Sequence, residues 1–281
     1  MTSNDCEGAG EAFRVMSIPA DTPAAVSLPQ STTDSITEPS PTFLTTSTQL
    51  HLEALTSSLA RVYTMAPSFR AERSQTNRHL NEFWMLEAEM SFLQTGVHGV
   101  CDVVEASLKS VLGRLVEDED VKFLRGEGAA SSPPQSSLKA WLDMSVPWRR
   151  ISYSDALKAL QMHHVSGAAP QFKLDPPTWG GALASEHERW IADSLGGNNS
   201  KAQTGGPVFV IDYPRRLKPF YMWVNEDDKQ GETEDSRSTV ACFDLLVPKL
   251  GELAGGSVRE SRIDKLKESL AFHGMDEVSV R

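Results

Sequence analysis

The sequence predicts an α+β fold, a mostly antiparallel sheet flanked by helices. Strand-like runs, β-branched or aromatic and in places alternating, follow one another without the regular helical crossovers of a parallel sheet. Helical patterns are set between and after them. A chain of 281 residues that is 40% hydrophobic can bury a real core, in one large domain or two small ones.

The first run, TFLTTS (42–47), is rich in threonine and reads as a strand. A helix follows over 49–60, then two apolar strands at 60–69 and 82–92. The next helix, 103–118, places Val104, Leu108, Val111 and Leu115 on one face. A helix over 154–163 takes Ser154 as its cap. Strands are predicted at 207–213 and 239–248, and a last helix over 259–274, closed by Gly274. The intervening stretches 17–41, 126–137, 196–206 and 225–237 are rich in Pro, Ser, Gly or acidic residues and read as disordered insertions in one domain spanning 1–281. No internal repeat is visible.

Charge narrows the partners. A net charge of −11 argues against a general DNA or RNA binder, so any polyanion must meet a local basic patch. Cys6, Cys101 and Cys242 are far apart and lack a CxxC spacing, which favours a reducing compartment without a disulfide or zinc framework. No apolar run approaches the roughly 20 residues of a membrane span. The opening residues lack both a signal-peptide core and the Arg-rich face of a transit peptide.

One stretch carries chemistry. Phe69 to Glu89 reads FRAERSQTNRHLNEFWMLEAE, a strand, a polar turn and a returning strand. A hairpin there brings Arg70, Glu72, Arg78 and His79 to one end of the pair, with Phe83 leading the return. Guanidinium groups and a histidine grip a polyphosphate through charge-assisted hydrogen bonds, and a ring stacks on a base. The ligand this mixture suits is a nucleotide. Composition alone also allows a surface hairpin laced by Arg–Glu pairs.

The same stretch resembles the second signature motif of class II aminoacyl-tRNA synthetases, in its asparaginyl-tRNA synthetase form. TSNDCEGAGEAF (2–13), TSTQLHLEAL (46–55), WGGALASEHER (179–189), PVFVIDYPRRLKPFYM (207–222) and DLLVPKLGELAGGSVRESRID (244–264) resemble further blocks of that family in the same order. The likeness lies nearest its mitochondrial-type branch. It implies an ATP-dependent asparagine–tRNA ligase. Asparagine's carboxylate attacks the α-phosphorus of ATP, and the asparaginyl group then passes to tRNA(Asn).

The resemblance also implies roles. Arg70 grips the α-phosphate and the amino-acid carboxylate. Glu72 lies near the adenine amino group, Arg78 and His79 meet the outer phosphates, and Phe83 stacks on adenine. Asp244 and Glu252 hold Mg2+ against the phosphates, as hard oxygen ligands suit that ion. Glu7 and Gln49 take the substrate ammonium. Glu53 and Arg259 supply the acceptor and donor that a carboxamide needs, with Lys218 bordering the pocket. An aspartate pocket would place cations on both sides, so Glu53 speaks for asparagine. The rivals are a non-catalytic binding or regulatory module derived from a synthetase, and an aspartate-specific relative.

Three positions depart from the family pattern. Arg73 stands for a usual Asn, Trp223 for an Arg after FYM, and Lys249 for a common Gly. The family's first motif, which builds the homodimer interface, its third motif, which completes the ATP site, and its anticodon-reading OB-fold fall outside the chain. The expectation is a catalytic core incomplete at both ends, with little or no turnover alone. The branch implies the mitochondrial matrix, with the cytoplasm as the alternative. His163 and His164 read as surface residues, since adjacent positions on a helix point apart. His187 has no assigned chemistry. The basic clusters PWRR and YPRRLK are either tRNA contacts or solvated charge.

Overall fold

A computed structural model of the chain describes residues 12–16, 42–71, 80–124, 141–197, 205–225 and 237–275. They belong to two compact units, Met1–Phe92 with Arg281, and Leu93–Val280.

In the first unit, β1 (Arg14–Val15) pairs antiparallel with β2 (Thr42–Phe43). Helix α1 (Gln49–Leu59) packs on a hairpin of β3 (Arg61–Phe69) and β4 (Glu82–Met90). The register runs unbroken from Arg61 opposite Met90 to Phe69 opposite Glu82. The predicted strand 42–47 stops at Phe43, because the hydroxyls after it bond locally and begin the helix. Alternation gives the hairpin two faces. Val62, Thr64, Ala66, Ser68, Phe83, Met85 and Glu87 lie on the more buried one. On the other, Tyr63 (77%), Met65 (63%), Trp84 (67%) and Leu86 (67%) stand exposed.

The second unit holds a four-stranded sheet of β5 (Arg149–Ser152), β6 (Val208–Pro214), β7 (Thr239–Val247) and β8 (Gly251–Ser257), in that order. β6–β7 and β7–β8 are antiparallel, as expected. β5, which the sequence reading left inside a basic cluster, pairs parallel with β6. A parallel pair needs a crossover, and α4 (Tyr153–Ser166) with α5 (Ser185–Ser194) provides it. β6 and β7 are buried on both faces, so their sequences read as continuous apolar runs. On one face Val208, Val210, Cys242 and Leu246 pack against Tyr153, Leu157, Leu160 and Ile191 of the crossover helices. On the other, Phe209, Ile211, Phe243 and Leu245 meet Val97 and Cys101 of α2 (Val97–Glu117). A short α3 (Glu119–Leu124) follows α2, and α6 (Ile263–Phe272) follows β8.

Element ends differ from the sequence reading for local reasons. α2 starts six residues earlier than predicted, and of its expected stripe only Val104 and Leu108 pack on the core; Val111 and Leu115 are exposed. Ser152, not Ser154, caps α4, its hydroxyl accepting from the Asp155 N–H at 3.0 Å. α6 begins at Ile263 because residues 258–260 pair instead with the segment 221–223. Gly274 (φ 68°) closes it as predicted. The insertion 196–206 is tied at both ends: Gly206 N–H donates to the Ala192 carbonyl at 3.0 Å, and Gly197 N–H to that of Pro207 at 3.3 Å. Insertions 17–41 and 126–137 lie outside the described residues. Lys249 adopts φ 68° in the β7–β8 turn, a left-handed conformation that suits the glycine the family pattern favours there.

Two substitutions test these backbone constraints by thermal unfolding. A Cβ on Gly196 would stand 1.9 Å from the Gly206 carbonyl oxygen, so Gly196→Ala is expected to lower the melting temperature by several degrees. Lys249→Gly is expected to raise stability by about 0.5–1 kcal/mol, the relief of left-handed strain exceeding the added chain entropy.

Candidate functional site

The first unit carries one set of predicted residues. Arg70 follows β3 directly, and its N–H donates to the Asn81 carbonyl at 3.0 Å, extending the hairpin one step past Phe69. Its guanidinium carbon lies 5.6 Å from the centroid of the half-buried Phe83 ring. Arg70 and Phe83 are therefore neighbours at the open end of the hairpin. Gln49 opens α1, and Glu53 follows one turn later on the same side. Glu7, Glu72, Arg73, Arg78 and His79 lie outside the described residues.

What orients α1 is Glu87, a residue the sequence reading passed over. Both its carboxylate oxygens accept from the Thr48 N–H, at 3.1 and 2.9 Å, and the Ser47 hydroxyl donates to one of them. The Ser47 oxygen accepts in turn from the Gln49 N–H at 3.0 Å. A carboxylate at a helix N-terminus satisfies N–H groups that have no partner within the helix and complements its dipole. The alternation Phe83, Met85, Glu87 was the available signal, since it puts an acid on the buried face.

The second unit carries the other set. Lys218 Nζ donates to both oxygens of Asp244 at 2.8 Å and stands 4.2 Å from the Tyr213 ring centroid. The two side chains are 18% and 14% exposed, so this pair is largely out of water. Burial, the largest single influence, pulls the lysine pKa down, but the charge and hydrogen bond of Asp244 together with the neighbouring Cys242 and Glu252 outweigh it, and the net shift is upward. Burial first, and Asp244 second, push the Tyr213 phenol well above its ordinary value. Burial likewise raises the Cys242 thiol to about 12, so it is no nucleophile at neutral pH.

Asp244 on β7 lies opposite Gly255 on β8. A Cβ on Gly255 would stand 3.3 Å from both Asp244 Oδ1 and Glu252 Oε1, so the two carboxylates flank one gap kept clear by glycine. Among the described residues no cluster of three metal-ligating side chains occurs. Two carboxylates still fit a magnesium ion that keeps water and takes phosphate oxygens for its remaining positions. Asp244 would share its oxygens with Lys218 in that case, each having a second lone pair.

Arg259 forms a bridge with Met222, lies 4.6 Å from the Tyr221 ring centroid and donates to the Ser257 hydroxyl at 3.1 Å. Beside it, Arg262 grips Glu260 through two hydrogen bonds of 2.9 Å and stacks 3.9 Å from the Trp223 ring centroid. Trp223, odd against the family pattern, is thus a platform for Arg262. Burial works to raise the Glu260 pKa, but the hydrogen bonds and charge of Arg262 win and hold it below the ordinary carboxylate value.

Other candidates have partners within the fold. His187 is buried: its Nδ1 accepts from the Ala184 N–H at 3.2 Å and its Nε2 faces the Leu174 carbonyl at 3.1 Å. That pair of partners selects the neutral ring protonated on Nε2, which pins the 172–175 segment to the start of α5. His163 is no free surface residue, since it packs against Trp190 and Phe172. In PWRR, Arg149 donates to the Leu195 carbonyl and Arg150 pairs with Asp102. Arg215 and Arg216 of YPRRLK lie against Phe272. No helix among the described residues is long and apolar enough to cross a membrane.

Comparison with known proteins gives one direction. The family model for tRNA synthetases class II (D, K and N) matches residues 18–281. The mitochondrial asparagine–tRNA ligase of Saccharomyces cerevisiae is 41% identical over 98% of this chain and 52% of its own length. That of Schizosaccharomyces pombe is 40% identical over 95% of this chain and 51% of its own length. The crystal structure of asparaginyl-tRNA synthetase from Pyrococcus horikoshii complexed with asparaginyl-adenylate superposes with a TM-score of 0.68 at 28% identity, covering 99% of this chain and 51% of that one. The chain thus spans about half the length of the relatives it matches.

The depressed Glu260 pKa has a sign. A folded value below the unfolded one stabilises the fold above about pH 4.5, and that contribution is lost as pH falls through the folded value. Glu260→Gln is expected to cost about 1–2 kcal/mol at pH 7, with the difference from the unaltered chain shrinking below pH 4.5 in urea titrations. Glu87→Ala is expected to cost on the order of 1–2 kcal/mol and to speed hydrogen exchange at the Thr48 amide and first turn of α1.

Proposed function

The chain belongs to the class II tRNA synthetases of the D, K and N group, and we propose that it supplies the asparagine-activating core of an asparagine–tRNA ligase. ATP and asparagine would give asparaginyl-adenylate and pyrophosphate, and tRNA(Asn) would then accept the asparaginyl group. The observation that carries this reading is the likeness, over nearly the whole chain, to a synthetase solved with asparaginyl-adenylate. The two named yeast relatives support the same substrate.

The proposed roles follow the residues. Arg70, always charged, stabilises the negative charge that builds on the α-phosphorus, and Phe83 offers its face to adenine. Glu72, Arg78 and His79 serve the adenine amine and the outer phosphates. Asp244 and Glu252 hold magnesium, which neutralises phosphate charge when bound. Glu7 and Gln49 bind the substrate ammonium, with Lys218 at the border of the pocket. Glu53 accepts from the carboxamide NH2 and Arg259 donates to its oxygen, so aspartate would meet a repelling acid. No side chain acts as nucleophile; the protein contributes placement and charge. Both compact units are read as parts of one catalytic domain. The proposed partners are asparagine, ATP, Mg2+, tRNA(Asn) and a second copy in a homodimer. The two yeast relatives are named as mitochondrial, which supports the mitochondrial matrix as the compartment.

ATP–pyrophosphate exchange tests the reading, on this chain and on a protein extended to the length of its relatives. Asparagine is expected to drive exchange in the extended protein and aspartate to fail; silence with both would favour a non-catalytic module. Arg70→Ala is expected to lower exchange by about 100-fold or more. Glu53→Gln is expected to narrow the preference for asparagine over aspartate.

A further inference from the structure

We infer that Arg215 and His273 are positioning residues for the Lys218–Asp244 pair, with α6 as the brace that holds the lysine's backbone from behind. That pair's role in substrate binding rests on the proposed function; the brace itself rests on geometry within the second unit alone.

Lys218 follows a single 3-10 turn, Arg215–Leu217, at the end of β6. One turn of that length has no hydrophobic stripe to fix it. Its start is tied to the residue before β7, the Arg215 N–H donating to the Ser238 carbonyl at 2.9 Å. Leu217 packs against the core, and the two arginines turn towards α6. Arg215 Nη2 donates to the hydroxyl of the fully buried Ser269 at 2.9 Å, and the guanidinium carbon lies 4.1 Å from the Phe272 ring centroid. A planar cation that both stacks and donates fixes direction as well as distance. Arg216 adds a more distant contact, 5.9 Å from the same ring centroid.

The second tie reaches Lys218 itself. His273, just past the end of α6, places Nε2 3.0 Å from the Lys218 carbonyl oxygen and Nδ1 2.8 Å from that of Ser269. Both partners are acceptors, and with its proton on Nε2 the ring donates to the Lys218 carbonyl. The backbone of Lys218 is thereby held to α6, while its side chain reaches Asp244 on β7. A long, flexible lysine delivers its charge to a fixed point only if its Cα is fixed, and α6 fixes it.

Competitive acetylation of lysines, read by peptide mass spectrometry, reports this directly. In the full chain, paired Lys218 is expected to react about ten-fold more slowly than exposed Lys173. Arg215→Ala and His273→Ala are each expected to raise the Lys218 rate about five-fold, and the milder Ser269→Ala, which keeps the packing, about two-fold. Ile191→Val, a core change on α5, should lower the melting temperature and leave the Lys218-to-Lys173 ratio unchanged. Unchanged ratios in Arg215→Ala, His273→Ala and Ser269→Ala would overturn the positioning role, as would an equal rise in Ile191→Val. Asparagine-driven exchange in the unaltered protein is scored separately. Its absence would overturn the proposed function, while the labelling ratios would still decide the brace.

Discussion

An ammonium and a carboxylate that have left water together set the terms for much of the second unit. Lys218 and Asp244 are each less than a fifth exposed, and a charge in that position is costly unless its partner is held at hydrogen-bond distance. The pair therefore demands that the end of β6 and the middle of β7 be fixed relative to one another. The antiparallel ladder places Asp244, and the turn backed by α6 places Lys218. Tyr213 closes the cluster, its phenol kept neutral by burial and by the same carboxylate.

The cluster also organises its surroundings. Directly opposite Asp244 on β8, the glycine at 255 keeps the space between Asp244 and Glu252 open, and a side chain there would press on both acids. Further along the same chain, Arg259 and Arg262 are each set against an aromatic ring and a hydroxyl or carboxylate. Arginine recurs at such points because its planar fork can stack and donate at once. In the first unit the logic is similar, with Glu87 anchoring the start of α1 and Phe83 lying under Arg70. Arg70, Lys218, Asp244 and Arg259 each have a neighbour of a different chemical kind.

Much of this was legible in the residues. The β3–β4 hairpin and the runs at β6 and β7 announce themselves by alternation or by continuous apolar character, and the ordered blocks of the sequence disclose the family. Other parts were not. β5 is four residues long and starts with two arginines, so nothing in its composition marks a strand; its partner β6 makes it one. The helix expected over 259–274 begins late because residues near Arg259 find backbone partners in a segment nearly 40 positions away, which no local pattern reveals. Glu87 and His187 look like ordinary polar residues in sequence. Their work is to satisfy specific backbone groups at the starts of α1 and α5, which appear only once the chain is folded.

The exposed face of the β3–β4 hairpin has a practical side. Tyr63, Met65, Trp84 and Leu86 form an apolar strip on a ribbon that is two-stranded among the described residues, with one end of β3 also bonded to Thr45. An exposed oily strip on a narrow sheet favours self-association. Handling this polypeptide at high concentration should thus be governed by precipitation and colloidal behaviour, with mild detergent or charged substitutions on that strip as the natural remedy.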